Sequence, residues 1–132
     1  MATHRFFNLL VLFSINFNLL AQKHYNNWYF GDREGITFNS GVPTAVSTNT
    51  MMVLEGNATI SDKATGNLLF YTNSIDVWNK NHTYMMNGTG LNYNSNSPSR
   101  GALIVQKPLS DSLYYLFVTD ADENFTNNSV NL

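Results

Sequence analysis

Residues 58–86 read ATISDKATGNLLFYTNSIDVWNKNHTYMM, and this stretch decides the fold. Ala58 to Ser61 is a short run, and Asp62 to Asn67 is a polar loop containing Gly66. Leu68 to Thr72 is apolar and aromatic almost throughout, the composition of a buried strand. Asn73-Ser74 turns the chain into Ile75 to Trp78, which alternates apolar and polar residues. Asn79 to His82 makes the next turn, and Thr83 to Met86 completes the series. Four short strands joined by three short loops predict an antiparallel meander of about thirty residues, the size of one propeller blade. Phe70 and Trp78 are its expected core.

The flanks read in the same way. On the N-terminal side, His24 to Phe30 is closed by Gly31, and Ile36 to Phe38 runs into the turn cluster Asn39-Ser40-Gly41. Val42 to Val46 carries Pro43, so it is an edge strand or an irregular extended segment. On the C-terminal side, a polar loop over 92–100 precedes Ala102 to Val105 and Leu113 to Val118, two strands joined by a turn over 108–112. Val130 with Leu132 begins another strand. Trp28, Phe30, Tyr115 and Phe117 join Phe70 and Trp78 as expected core. No helical period of 3.6 emerges after Gln22. The expectation for residues 22–132 is all-β: antiparallel meanders forming a partial β-propeller, about one full blade plus parts of its neighbours.

Composition agrees. Aromatic residues reach 14% and charged residues only 12%, about half the usual share for a soluble domain. Asparagine, serine and threonine supply the missing polarity, and these residues favour turns. With no cysteine, disulfide staples are excluded, so stability must come from burial.

The first twenty-one residues stand apart. His4 and Arg5 form a short n-region, an apolar stretch runs from Phe6 to Leu20, and small Ala21 suits the position before a cleavage site. Asn8, Ser14, Asn16 and Asn18 interrupt the stretch, which is unfavourable for a spanning helix of ~20 apolar residues. Residues 1–21 therefore read as a signal-peptide helix, removed on export, with no membrane span left afterwards. Removing them takes away only Arg5, so six Lys and Arg face nine Asp and Glu, a net −3. Without a basic stripe the chain lacks the electrostatic footprint of a nucleic-acid binder.

Catalytic constellations are lacking too. There is no Gly-x-Ser-x-Gly, no His-Glu-x-x-His, no glycine-rich phosphate loop and no cysteine nucleophile. His24 and His82 share no metal-ligand spacing, and His82 reads as a solvated turn residue. Glu55, Asp62 and Asp76 are the carboxylates near the meander, and each suits a structural hydrogen bond. Asp62 in particular leads a loop where such side chains bond backbone amides. Asp120, Asp122 and Asn124 match the opening of a calcium loop, but Phe125 stands where the glycine should be and Asn131 where the closing glutamate should be. They are the sole metal candidate, a weak calcium site. Trp28, Tyr29, Tyr71, Trp78, Tyr84, Tyr114 and Tyr115 could stack sugars, yet aromatics on strands more often fill cores.

Several segments together resemble the N-terminal region of large secreted bacterial proteins of the type IX secretion, gliding-associated (type B) C-terminal sorting domain family. They are Asn27-Trp28-Tyr29-Phe30-Gly31 with Gly35-Ile36-Thr37-Phe38, then Glu55-Gly56 with Ala58 to Asp62, then Gly66 to Thr72. Val77-Trp78-Asn79 and Met86 to Leu91 follow, and Ala102 to Val105, Pro108 and Tyr114 to Phe117 complete the set. The resemblance spans residues 26–120. It implies a β-propeller-like region at the front of a longer surface protein, whose remaining blades or domains would be its partners. Later blades and the sorting domain are not in this sequence, so the expectation is a fragment or a truncated product.

The function expected is therefore a non-enzymatic one: adhesion, scaffolding or binding of a surface glycan or protein. The setting would be across the inner membrane, in the periplasm, on the cell surface or outside the cell. The alternatives are a fragment of a secreted glycan-binding or glycan-active enzyme, and a truncated product with no independent activity.

Overall fold

The computed structural model describes residues 22–91 and 101–119, with the backbone of Val130 and Asn131. The expected signal helix over 1–21 and the calcium candidate Asp120, Asp122 and Asn124 lie outside the described residues. After a 3-10 turn (Lys23–Tyr25), the described residues form nine strands: β1 (Asn27–Phe30), β2 (Glu34–Thr37), β3 (Thr44–Val46), β4 (Ala58–Ser61), β5 (Leu68–Thr72), β6 (Val77–Asn79), β7 (Ala102–Gln106), β8 (Tyr114–Thr119) and β9 (Val130–Asn131). They make three separate three-stranded sheets, β1-β2-β3, β4-β5-β6 and β7-β8-β9, each antiparallel and each in chain order. The protein is all-β among its described residues, as its composition implied.

In the middle sheet, β4 neighbours both β1 of the first sheet and β7 of the third. The middle sheet is thus covered on both faces. Its row Thr59, Tyr71 and Trp78 faces the first sheet, where the Tyr29 amide donates to Thr59 Oγ1 at 3.2 Å. The opposite row, Ile60, Phe70 and Asn79, faces the third sheet, where Phe70 meets Tyr114 edge to face at 5.4 Å. Two residues apart on one strand means the same face, and one residue apart means opposite faces.

Between the first and middle sheets, Tyr29, Met51, Val53, Tyr71 and Trp78 form the core cluster. Tyr29 packs on Tyr71 at 4.8 Å, and Tyr71 stacks on Trp78 at 5.5 Å with planes 10° apart. Met51 and Val53 enter from the connection between β3 and β4, held there by Asn49. Its side-chain amide donates to the Glu34 carbonyl, and its oxygen accepts from the Met51 amide.

Three expected core residues are not core. Trp28 is 52% exposed, Phe30 38% and Tyr115 47%. Each sits on the face of an end sheet that points away from the middle one, and the alternation that buries Asn27 and Tyr29 turns Trp28 and Phe30 outward. Phe117 pairs with Leu103 on the same outer face as Tyr115 and is half-buried, as is Phe70 on the inner one. Trp78 is buried at 4%.

The meander over 58–86 has three strands, not four. Thr83 to Met86 contributes a single bridge, Tyr84 to Trp78. Beyond it the Met85 and Gly88 amides bond the carbonyls of Val77 and Met85, which curls the chain into a turn. Ile75 and Asp76, expected in the third strand, are instead captured by Asn73, whose side-chain oxygen accepts from both their amides. Val42 and Pro43 precede the short edge strand β3, in line with the proline's missing donor.

Candidate functional site

The first strands of all three sheets border one groove of about 340 Å³. The first sheet contributes Trp28 and Phe30, with Tyr25 from the 3-10 turn. The middle sheet contributes Ala58 and Thr59, with Asn57 just before them, and the third sheet contributes Ala102, Leu103 and Ile104. Among the described residues no charged side chain lines it. The Trp28 indole is held in place: its Nε1 donates to the Tyr25 carbonyl at 2.7 Å, and its ring meets Phe38 edge to face at 5.4 Å. An exposed, oriented indole beside amide and hydroxyl groups can stack on an apolar or sugar-ring face, and it offers no acid, base or nucleophile.

The carboxylates considered from the sequence are not brought together there. Asp62 Oδ1 accepts from the amides of Ala64 and Thr65 and from the Thr65 hydroxyl, at 2.7–3.0 Å. These bonds, that from the Thr65 amide foremost, hold its carboxyl below the usual range. Asp76 accepts from the Gly90 amide at 3.1 Å, and Glu55 is exposed, its backbone carbonyl accepting from Asn57 Nδ2. Asp62 and Asp76 are thus occupied in shaping loops. Among the described residues no group of three or more His, Asp or Glu could hold a metal ion, and no helix is long and apolar enough to cross a membrane.

His82 is not the solvated turn residue expected. Its Nδ1 lies 3.0 Å from the Tyr71 hydroxyl and its Nε2 3.2 Å from Thr48 Oγ1. Its ring also meets those of Tyr29 and Tyr71. Burial lowers its pKa from the ordinary imidazole value and raises those of both tyrosines. The sequence signal for this was only the pairing of one histidine with two strand tyrosines.

A second network was also missed. Asn27 Nδ2 donates to Ser61 Oγ at 2.9 Å and to the Gly66 carbonyl at 2.7 Å. Asn39 Nδ2 donates to the same carbonyl, and Asn26 Nδ2 to Asn39 Oδ1, both at 3.0 Å. Part of the asparagine richness thus joins the first sheet to the β4–β5 loop. Compared with family models, with curated proteins and with solved structures, the chain matches none.

Proposed function

We propose that this chain is a β-propeller segment of an exported protein, acting at the cell surface or outside the cell as a non-enzymatic adhesive, scaffolding or binding element. The observation that carries the architectural half is the shared groove. Sheets stacked in flat layers sit about 10 Å apart, which would separate the first and third by about 20 Å. Here Trp28 of the first and Leu103 of the third border one groove of about 340 Å³, which supports sheets fanned about an axis with β1, β4 and β7 innermost. The functional half rests on the uncharged groove and on carboxylates engaged in loops.

Exposed Trp28, oriented by Tyr25, favours a second reading within this one, a neutral glycan as ligand. The test incubates the purified chain with a glycan panel and with intact cells, measuring retention and release of reducing sugar. Saturable retention without sugar release supports the proposal. Release of sugar would replace it with a glycan-active enzyme, and retention that survives Trp28→Ala would remove the groove from it.

A further inference from the structure

Asn87-Gly88 ends the segment that runs along the outer edge of β6. The Val77 amide donates to the Gly88 carbonyl at 2.6 Å, the Met85 amide to the Val77 carbonyl at 2.9 Å, and the Gly88 amide to the Met85 carbonyl at 2.9 Å. Asn87 takes the third position of that last turn with φ 58°, a left-handed conformation that asparagine tolerates better than most side chains. It is exposed, and its side chain makes no hydrogen bond among the described residues. It is also the only asparagine in the sequence followed by glycine. Asn39 and Asn73, each followed by serine, have both ends of their side-chain amides engaged. Asn39 bonds Asn26 and the Gly66 carbonyl, and Asn73 bonds the amides of Ile75 and Asp76 and the Met52 carbonyl.

We propose that Asn87 is a site of spontaneous modification, converting through a cyclic imide to aspartate and isoaspartate and releasing the turn that holds Val77. The Gly88 nitrogen, its proton taken by hydroxide, attacks Cγ of Asn87. The bond from Cγ to Nδ2 breaks, and ammonia leaves with a proton from water. Glycine matters here because no side chain on the attacking residue blocks the approach. Water then opens the imide at either carbonyl. Opening at Cγ restores the chain with an aspartate, and opening at the α-carbonyl routes the chain through the side-chain methylene as isoaspartate. The fold sets the rate, since the reacting nitrogen is bonded to Met85 and the ring closes only when the turn opens. Residues 83–87 make an edge segment with little burial, for which local opening is inexpensive, and the left-handed backbone at Asn87 lowers that cost further. The extra backbone methylene of isoaspartate displaces Gly88, so the Val77 amide loses its acceptor. None of this depends on what the groove binds.

The test ages the purified full chain, folded and in urea, at neutral and mildly alkaline pH, and reads its peptides by mass. A gain of about one dalton at residue 87 is expected, split between the two products and faster at the higher pH. In the folded chain it should run about ten-fold to a hundred-fold slower than in urea, because two turn hydrogen bonds must break first. Hydrogen exchange at the Val77 amide should be faster in the aged chain than in the fresh one. Asn87→Asp, which has the product's charge on a normal backbone, should exchange like the fresh chain. A folded chain that keeps Asn87 intact after the chain in urea has converted overturns the site. Equal rates in the two states overturn the control by the turn. An Asn87→Asp chain exchanging as fast as the aged one overturns the release by isoaspartate.

Discussion

The Tyr71 hydroxyl and Nδ1 of His82 lie 3.0 Å apart, and this contact joins the middle of the core to a turn eleven residues later. His82 reaches it from a left-handed backbone conformation, φ 62°, that a non-glycine residue adopts at a cost. Its other ring nitrogen meets Thr48, and its carbonyl accepts from the Thr50 hydroxyl. The imidazole therefore pins the segment between β3 and β4, from which Met51 and Val53 enter the core.

Acidification should loosen this pin. Burial lowers the folded-state pKa of His82 below the 6.5 it regains on unfolding. The unfolded chain then binds the proton first, so stability is full above pH 6.5 and falls as pH drops through 6.5 toward the folded value. Asp62 acts in the same direction but in a lower window, below the ordinary carboxylate pKa of 3.8. Urea midpoints between pH 7.5 and pH 5 should fall for the native chain and stay flat for His82→Gln, at about the level of the acid form. An unchanged slope in the variant would remove His82 from the effect.

The two tryptophans should separate cleanly. Trp78 is 4% exposed and stacked on Tyr71, so Trp78→Ala should cost ~3–5 kcal/mol. Trp28→Ala, at a position 52% exposed, should cost the monomer about 1 kcal/mol or less. Denaturant unfolding of each variant in its monomeric form measures both. Similar losses would mean that the outer face of the first sheet is covered.

That contrast marks how far the sequence could be read. Strand formers bounded by turn residues located all three sheets, because turn chemistry is local. Which face of a sheet is buried is not local. Trp28 and Tyr29 are equally apolar neighbours, and only the position of the middle sheet makes Tyr29 core. Val77 to Asn79 pairs in a ladder while Thr83 to Met86 does not, since Gly88 and Met85 draw the backbone into a turn whose bonds no composition rule anticipates. Met51 and Val53 lie in an irregular connection, so periodicity had nothing to find there. The groove was invisible for a related reason: it needs β1 and β7, whose first residues are seventy-five apart, beside one another.

Gly101, just before β7, lies against the backbone of Gly56, two residues before β4. It has φ 58°, and a Cβ on it would run into the backbone of Gly56. Gly101→Ala should therefore destabilise by at least ~1–3 kcal/mol, combining the left-handed penalty with a backbone clash. Gly41, also at positive φ but with open space around it, is the control: Gly41→Ala should lose only about 1 kcal/mol. Equal losses at the two sites would mean that the close approach to Gly56 contributes nothing.

Asn27 offers the sharpest test of the amide network. It is 5% exposed, and its Nδ2 serves two acceptors at once, Ser61 Oγ and the Gly66 carbonyl. Asn27→Ala leaves the buried Gly66 carbonyl with Asn39 as its remaining side-chain donor and should cost about 1–3 kcal/mol. Asn27→Asp keeps the shape but removes the donor, pointing an anionic oxygen at a carbonyl, so at pH 7 it should be the worse of the two. The introduced carboxyl would have a folded-state pKa raised above its unfolded value by burial and by that carbonyl. The penalty is then largest above the folded pKa and shrinks as pH falls toward the unfolded value, where the protonated group donates again. Unfolding midpoints of the two variants and the native chain at pH 7 and pH 4.5 decide it. The Asp variant should recover relative to the native chain at the lower pH and the Ala variant should not, and parallel behaviour of the two would mean that donation to Gly66 does not hold the first sheet in place.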